Sequence, residues 1–224
     1  MRKVFEIGGV VAAAVLIAFG IAAIVMGFNG RSTVTDSLKQ EQIVGTPDMT
    51  PAAIKAEAKD AGLAVNKISF PTLAVAGKAI NSGPRAHAFA GYMRIHALEA
   101  TQGLPYSQIG RYQALPNAPK QFTDGIGGTN DTKYAVVDPK TKQPVDNGRR
   151  NVWVTETALS TALNASYMAD RIALFGVVVG IALLLSGFGF AILAIGGALR
   201  NPETALLFFR KQKQATAGRI VPTA

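Results

Sequence analysis

Ile172 to Leu199 reads IALFGVVVGIALLLSGFGFAILAIGGAL, a run without a single charged side chain. About 20 apolar residues rising 1.5 Å each cover the roughly 30 Å hydrocarbon layer of a bilayer. This run exceeds that requirement and is long enough to cross with tilt. A buried helix of a soluble domain does not read this way. A second run, Ile7 to Phe28, reads IGGVVAAAVLIAFGIAAIVMGF. A secretory signal peptide would have an apolar core of only about 7–15 residues before a small-x-small cleavage site. Here the core is longer and ends in Met26-Gly27-Phe28-Asn29-Gly30, a poor site, so it reads as a retained span. The chain is expected to be mainly α, with transmembrane helices over residues 7–28 and 172–199.

The flanks set the orientation. Lys and Arg close to a span are held on the cytoplasmic side, whereas long loops translocate largely regardless of charge. Arg2 and Lys3 precede the first span, and Arg200, Arg210, Lys211, Lys213 and Arg219 follow the second. Both termini are therefore expected in the cytoplasm. Residues 1–6 form the N-terminal flank, residues 200–224 a basic tail, and residues 29–171 lie outside a plasma membrane. The Leu206-Leu207-Phe208-Phe209-Arg210-Lys211 stretch either lies on the inner leaflet through apolar contact and charge or acts only as a topology determinant.

Composition removes several function classes. The chain has 224 residues, a net charge of +9, no cysteine and 17% charged residues. Without cysteine there is no disulfide, thiolate metal site or cysteine nucleophile. The positive balance sits largely at the membrane flanks, and basic residues in the central region are spread among acidic ones without interleaved aromatics. A nucleic-acid surface needs clustered Lys and Arg, so no nucleic acid is expected, and membrane lipid is the expected partner of the spans. Neither apolar core carries an ionisable residue, which disfavours an ion or proton pathway.

Small residues recur at helical spacing within the spans. Gly176 and Gly180 form a GxxxG pair, Gly187 lies two turns on, and Gly9 with Ala13 forms a weaker pair in the first span. Small residues let backbones approach, and this close packing drives helix association in lipid. They fit either self-association or docking on another membrane protein, or packing of the chain's own two helices on each other.

Outside the spans, RSTVTDSLKQEQ (Arg31 to Gln42) extends the first helix until Gly45 and Pro47 stop it. VWVTETALSTALNASYMADR runs into the second span without a breaker, and Leu159, Leu163, Tyr167 and Ile172 make one rough stripe. The second span is thus expected to be the inner part of a long helix, roughly half of it outside the membrane. Trp153 is expected to pack against a cap and Tyr167 to anchor near the bilayer. Thr50-Pro51 opens a short helix ending before Gly62, and Gly83-Pro84 opens a stronger one closed by Gly103. Phe89, Met93, His96 and Ala100 form its apolar stripe. Ile68 to Ala76 and Tyr134 to Val137 are short extended candidates, and residues 104–150 are mostly loop. Together these make a small helical, loop-rich extracytoplasmic cap.

The stretches VGTPDMTPAAIKAEAKDAGL, AFAGYMRIHALEATQGLPYSQIGRY and VWVTETALSTALNASYMA leading into the second span resemble a family of actinobacterial two-pass membrane proteins. The resemblance covers most of the chain and carries no catalytic motif, although some members bear the label of aromatic ring-opening dioxygenase. The extradiol form of that chemistry holds iron with two His and one carboxylate. The chain has 2 histidines, so the candidate ligands are His87, His96 and Glu99. His87 and His96 lie about 2.5 turns apart on a continuous helix, on opposite sides. The alternative is a packed His96 and a surface His87. Gly125 to Asn130 lacks the Lys-Ser/Thr of a phosphate loop and reads as a turn. No cofactor is expected. The sequence favours a non-enzymatic accessory or scaffold subunit, with a membrane-tethered metalloenzyme using His87, His96 and Glu99 as the alternative.

Overall fold

A computed structural model describes residues 2–196. Arg200, Arg210, Lys211, Lys213 and the rest of the 200–224 tail lie outside the described residues, as does the end of the second apolar run. The protein is mainly helical, with α1 (Arg2–Gln40), α2 (Pro51–Asp60), α3 (Gly83–Ala100) and α4 (Gly148–Ile195), and two short strands, β1 (Tyr112–Gln113) and β2 (Gly128–Thr129). α1 and α4 are both long and apolar enough to cross a membrane. The chain divides into two compact units, one of Met1–Arg31 with Ile172–Ala224 and one of Ser32–Arg171.

In the first unit α1 and α4 run antiparallel at very close range. A Cβ on Gly20 would lie 2.8 Å from the Gly180 carbonyl oxygen, and a Cβ on Gly180 would lie 2.7 Å from that of Gly20. Gly27 meets the Ala173 carbonyl in the same way at 2.6 Å, and Gly187 meets Ile17 and the Ala13 carbonyl at 2.7 and 3.1 Å. Ala13, Gly20 and Gly27 recur every seven residues, as do Ala173, Gly180, Gly187 and Ala194. A strict seven-residue repeat winds two helices into a left-handed pair. With the small residue at the contact point, the backbones come within van der Waals reach, where dispersion replaces the hydrophobic drive that lipid cannot supply. Gly180 and Gly187 are thus tight contacts. Gly176 has room, since its Cβ would lie an ordinary 3.7 Å from the Ala23 carbonyl. Gly9 and Ala13 are both buried. Arg2 opens α1, and Lys3 is exposed. The other faces are apolar and exposed: Phe19, Met26, Phe175 and Leu185 each leave more than half their surface uncovered.

The second unit builds a core from α2, α3 and the upper parts of α1 and α4. Ile54, Val75, Ile80, Tyr92 and Ile95 are fully buried, joined by Leu38, Met49, Phe89 and Leu163. Burial of each such side chain is worth about 1.5–3 kcal/mol. Thr50 caps α2, its hydroxyl accepting from Ala53 N at 3.2 Å, and Pro51 supplies the fixed φ of the first helical turn. α1 stops at Gln40 and turns through Gln42 at φ 51°. Gly45 then lies so close to Val75 that a Cβ would run into its carbonyl.

α3 does not carry one apolar stripe. Ala86, Ala88, Phe89, Ala90, Tyr92, Ile95 and Ala97 are all buried, whereas Met93 and His96 are half-buried and Ala100 is exposed. Its alanines let neighbours close in from several sides, so burial is not confined to one stripe of 3.6-residue period. The stripe on α4 also shifts. Leu163 is buried, but Ile172 is 64% exposed, and Asp170 is covered instead. Asp170 is covered by the start of α3, where a Cβ on Gly83 would lie 2.6 Å from its side chain.

Residues 104–150 form a nest of turns laced by β-bridges. β1 pairs antiparallel with β2, Tyr112 opposite Thr129 and Gln113 opposite Gly128. The extended candidates are mostly not strands. Thr132–Tyr134 is a 3-10 turn, and Ala135 and Val137 join only isolated bridges to Ala114 and Pro144. In the 68–76 segment Ala76 alone bridges, to Gly45; Pro71 has no N–H to donate. Asp124 organises the nest, its carboxylate accepting from the backbone N–H of Gly110, Ile126 and Gly128 at 2.7–2.9 Å. Gly125 and Gly127 adopt positive φ in that turn. Asn147 ties the nest to α4. Its amide donates to Gly110 O at 2.9 Å while its carbonyl caps α4 at Arg149 N, 3.1 Å. Trp153 is 3% exposed, and its indole N–H reaches Leu104 O at 3.0 Å and Thr101 Oγ1 at 3.2 Å.

The helix pair predicts a sharp contrast between glycines. Gly180→Leu should cost about 1–3 kcal/mol or more by overpacking, whereas Gly189→Leu, with nothing within 4 Å of its Cβ, should stay within about 0.5 kcal/mol of the parent. Unfolding of the two variants in mixed SDS micelles measures the difference, and equal behaviour would refute the close approach.

Candidate functional site

A cleft of about 780 Å³ lies among α3, α4 and residues 69–73. Its floor is apolar, with Phe70, Pro71, Ala88 and Ala90 among its residues. Pro71 packs against Gly91, where a Cβ would lie 2.8 Å from the proline ring. Its wall on α4 carries Glu156, Ser160, Asn164, Tyr167 and Arg171 at spacings of three and four, one face of a helix.

His87 belongs to this cleft. Its Nδ1 lies 2.7 Å from Asn164 Oδ1 and so donates to it, and its ring stacks on Tyr167 with centroids 4.5 Å apart. The Arg171 guanidinium covers Tyr167 at 4.9 Å, a cation–π contact. Farther along, Glu156 is 4% exposed and accepts from Ser160 Oγ at 2.7 Å. The polar groups of the cleft are largely engaged with one another.

His96 sits elsewhere. Its Nε2 lies 2.9 Å from Asp48 Oδ2 and its Nδ1 lies 3.2 Å from Glu99 Oε2. Glu57, on α2, joins them: single ligand atoms of Asp48, Glu57 and His96 fall within 4.8 Å of one another. Asp48 Oδ2 is shut off from solvent and has no partner besides this contact with Nε2. Three elements meet here: the turn before α2, α2 itself and the C-terminal half of α3. Among the described residues this is the group with metal-ligand geometry. His87 is outside it, and Glu99 stands on the opposite ring nitrogen of His96. The three sequence candidates thus divide between two places.

The two carboxyls flanking His96 respond oppositely to this environment. Burial is the largest influence on Glu99 and pushes its carboxyl up; the charges of Glu57 and Asp48 add to this, while the hydrogen bond and charge of His96 oppose it. Burial also pushes on Asp48, but hydrogen bonds from the Thr46 side chain and its own backbone, with the charge and a hydrogen bond of His96, outweigh it and hold the carboxyl below its usual value. Tyr92, fully buried, is raised by burial and by the Asp48 charge.

Asp48 and Glu57 escaped the sequence reading because no local pattern links a loop aspartate, a helical glutamate and a histidine far along the chain. Gly20 and Gly27 were legible: with Ala13 they keep a seven-residue interval that a search for four-residue pairs passes over. Comparison with protein-family models, curated proteins and solved structures gives no match.

The opposed shifts predict opposite mutational signs in metal-free protein. For Glu99 the folded state favours the protonated form, so its contribution is present below the ordinary value of 4.5 and is lost as pH rises through the folded value. Glu99→Gln should therefore melt higher than the parent at pH 7 and alike at acid pH. For Asp48 the folded state favours the charged form, so its contribution is present above 3.8 and is lost as pH falls. Asp48→Asn should melt lower at pH 7, the gap closing in acid. Thermal melts at both pH values in EDTA check this; shifts of the same sign would refute it.

Proposed function

We propose that this chain is a two-pass plasma-membrane protein that acts as a non-enzymatic accessory or scaffold subunit. Both termini lie in the cytoplasm and residues 29–171 outside. Two helices whose outward faces are apolar and uncovered need hydrocarbon around them, because leaving so much apolar surface in water is costly. The basic flanks give the orientation.

The observation that carries the subunit reading is the outward face of α4 in the second unit. Val154, Ala158, Thr161, Ala162, Ala165, Met168 and Ala169 are all exposed, and this face bears no charge over four turns. Exposed helices ordinarily carry charged residues on their free face. A smooth alanine-rich face fits a second helix at close range, supplied by another copy of the chain or by a different membrane protein. The placement of His87 beside Asn164, and of His96 beside Asp48 and Glu99, weighs against the tethered dioxygenase alternative. The resemblance to two-pass actinobacterial membrane proteins agrees with the proposed topology.

Two measurements test the proposal. The chain has no cysteine, so Lys140→Cys provides a single label on an exposed turn; a membrane-impermeant maleimide should modify it on intact cells, and protection would reverse the topology. Native mass spectrometry in mild detergent should find a defined oligomer or complex, and Ala165→Arg should dissociate it without lowering the melting temperature. A monomer in both samples would sink the subunit reading.

A further inference from the structure

We propose that Asp48, Glu57 and His96 form a binding site for a divalent transition cation of the zinc type, with Glu99 as the group that orients the histidine. This site stands independently of the subunit reading. Bonds of about 2.1 Å from such an ion to nitrogen and oxygen place neighbouring donor atoms about 3–3.5 Å apart and opposed ones about 4.2 Å apart. The observed donors all lie within 4.8 Å of one another, and Nε2 of His96 and Oδ2 of Asp48 are 2.9 Å apart. One imidazole with two carboxylates and no thiolate suits zinc and its borderline neighbours.

Two further observations separate this group from an ordinary acidic patch. Glu99 Oε2 lies 3.2 Å from Nδ1 of His96. If Nδ1 donates to Glu99, the lone pair of Nε2 is directed at the Asp48 side. A carboxylate on one ring nitrogen and the ion on the other is the usual arrangement of a metal-bound histidine; it fixes the tautomer and strengthens the ligand. The second observation is Asp48 Oδ2, which is shut off from solvent and has no partner besides Nε2 of His96. Nε2 and the carboxylate oxygen lie 2.9 Å apart, a separation that either a proton on Nε2 or a metal ion in its place would hold. A proton would serve the pair alone. A metal ion also uses Glu57, which a shared proton leaves without a role.

The charge agrees. The ion pairs of Asp48 and Glu99 among the described residues both go to His96, and the Glu57 carboxylate lies within 4.8 Å of the Asp48 and His96 ligand atoms. The site would pin the turn before α2 and α2 itself to α3, a structural clamp using one ligand from each.

The test uses full-length protein in detergent, stripped with EDTA and titrated with Zn²⁺ by calorimetry. One equivalent should bind. His96→Gln and Asp48→Asn should each weaken binding at least tenfold, and Glu99→Gln by about 10–100-fold, whereas His87→Gln should leave it unchanged. Because the chain has 2 histidines, imidazole NMR of the unmutated protein gives a second readout that survives any folding defect: Zn²⁺ should shift one ring and spare the other, the His87→Gln variant identifying which. Absence of saturable binding, binding that persists in His96→Gln, or a shift confined to His87 would overturn the proposal.

Discussion

Carbonyl oxygens of one helix lying where the side chains of the other would be is the constraint on which the first unit depends. Gly20 and Gly180 are each other's limit: neither can hold a Cβ without pushing the facing backbone away. In water, burial of larger apolar side chains would stabilise such a pair better. In hydrocarbon, lipid tails are as apolar as Leu, and close atomic contact is what distinguishes the partner helix from the solvent. The large apolar residues are accordingly on the outside, as Phe19, Phe175 and Leu185 are.

The second unit solves the opposite problem. There the apolar residues turn inward around α3. Smallness again matters, because Ala86, Ala88, Ala90 and Ala97 are covered along with Phe89, Tyr92 and Ile95. Where the core thins out over residues 104–150, side-chain hydrogen bonds replace it. Asp124 satisfies three backbone N–H groups and Asn147 links the nest to the start of α4, so backbone groups that no regular strand engages still find partners.

How much of this could be read in advance follows from the range of each signal. The long apolar helices, the Thr50-Pro51 cap and the α3 start at Gly83-Pro84 are local, and the structure has them at those positions. The packing of Trp153 was also legible, since it stands about 19 residues, or roughly 28 Å, up the helix from the apolar run, too far to anchor at a bilayer, and it is 3% exposed. Strand assignments at Ile68–Ala76 and Tyr134–Val137 failed because pairing depends on distant chain: Ala76 bridges Gly45 and Ala135 bridges Ala114. The partners of the two histidines came from other elements. His87 meets Asn164 and His96 meets Asp48, contacts that no spacing rule anticipates.

The seven-residue ladder also has a periodicity problem. Sliding one helix along the other by a heptad, about 10 Å, would set small residue against small residue again, so the ladder offers equivalent notches and does not by itself name the right one. Only its irregular members distinguish them: Ala13 and Ala173 in place of glycine, and the unlike neighbours Val177 beside Gly27 and Leu184 beside Gly20. The tightest contact in the unit is therefore degenerate in register, and alignment of the two helices rests on the residues that interrupt the repeat.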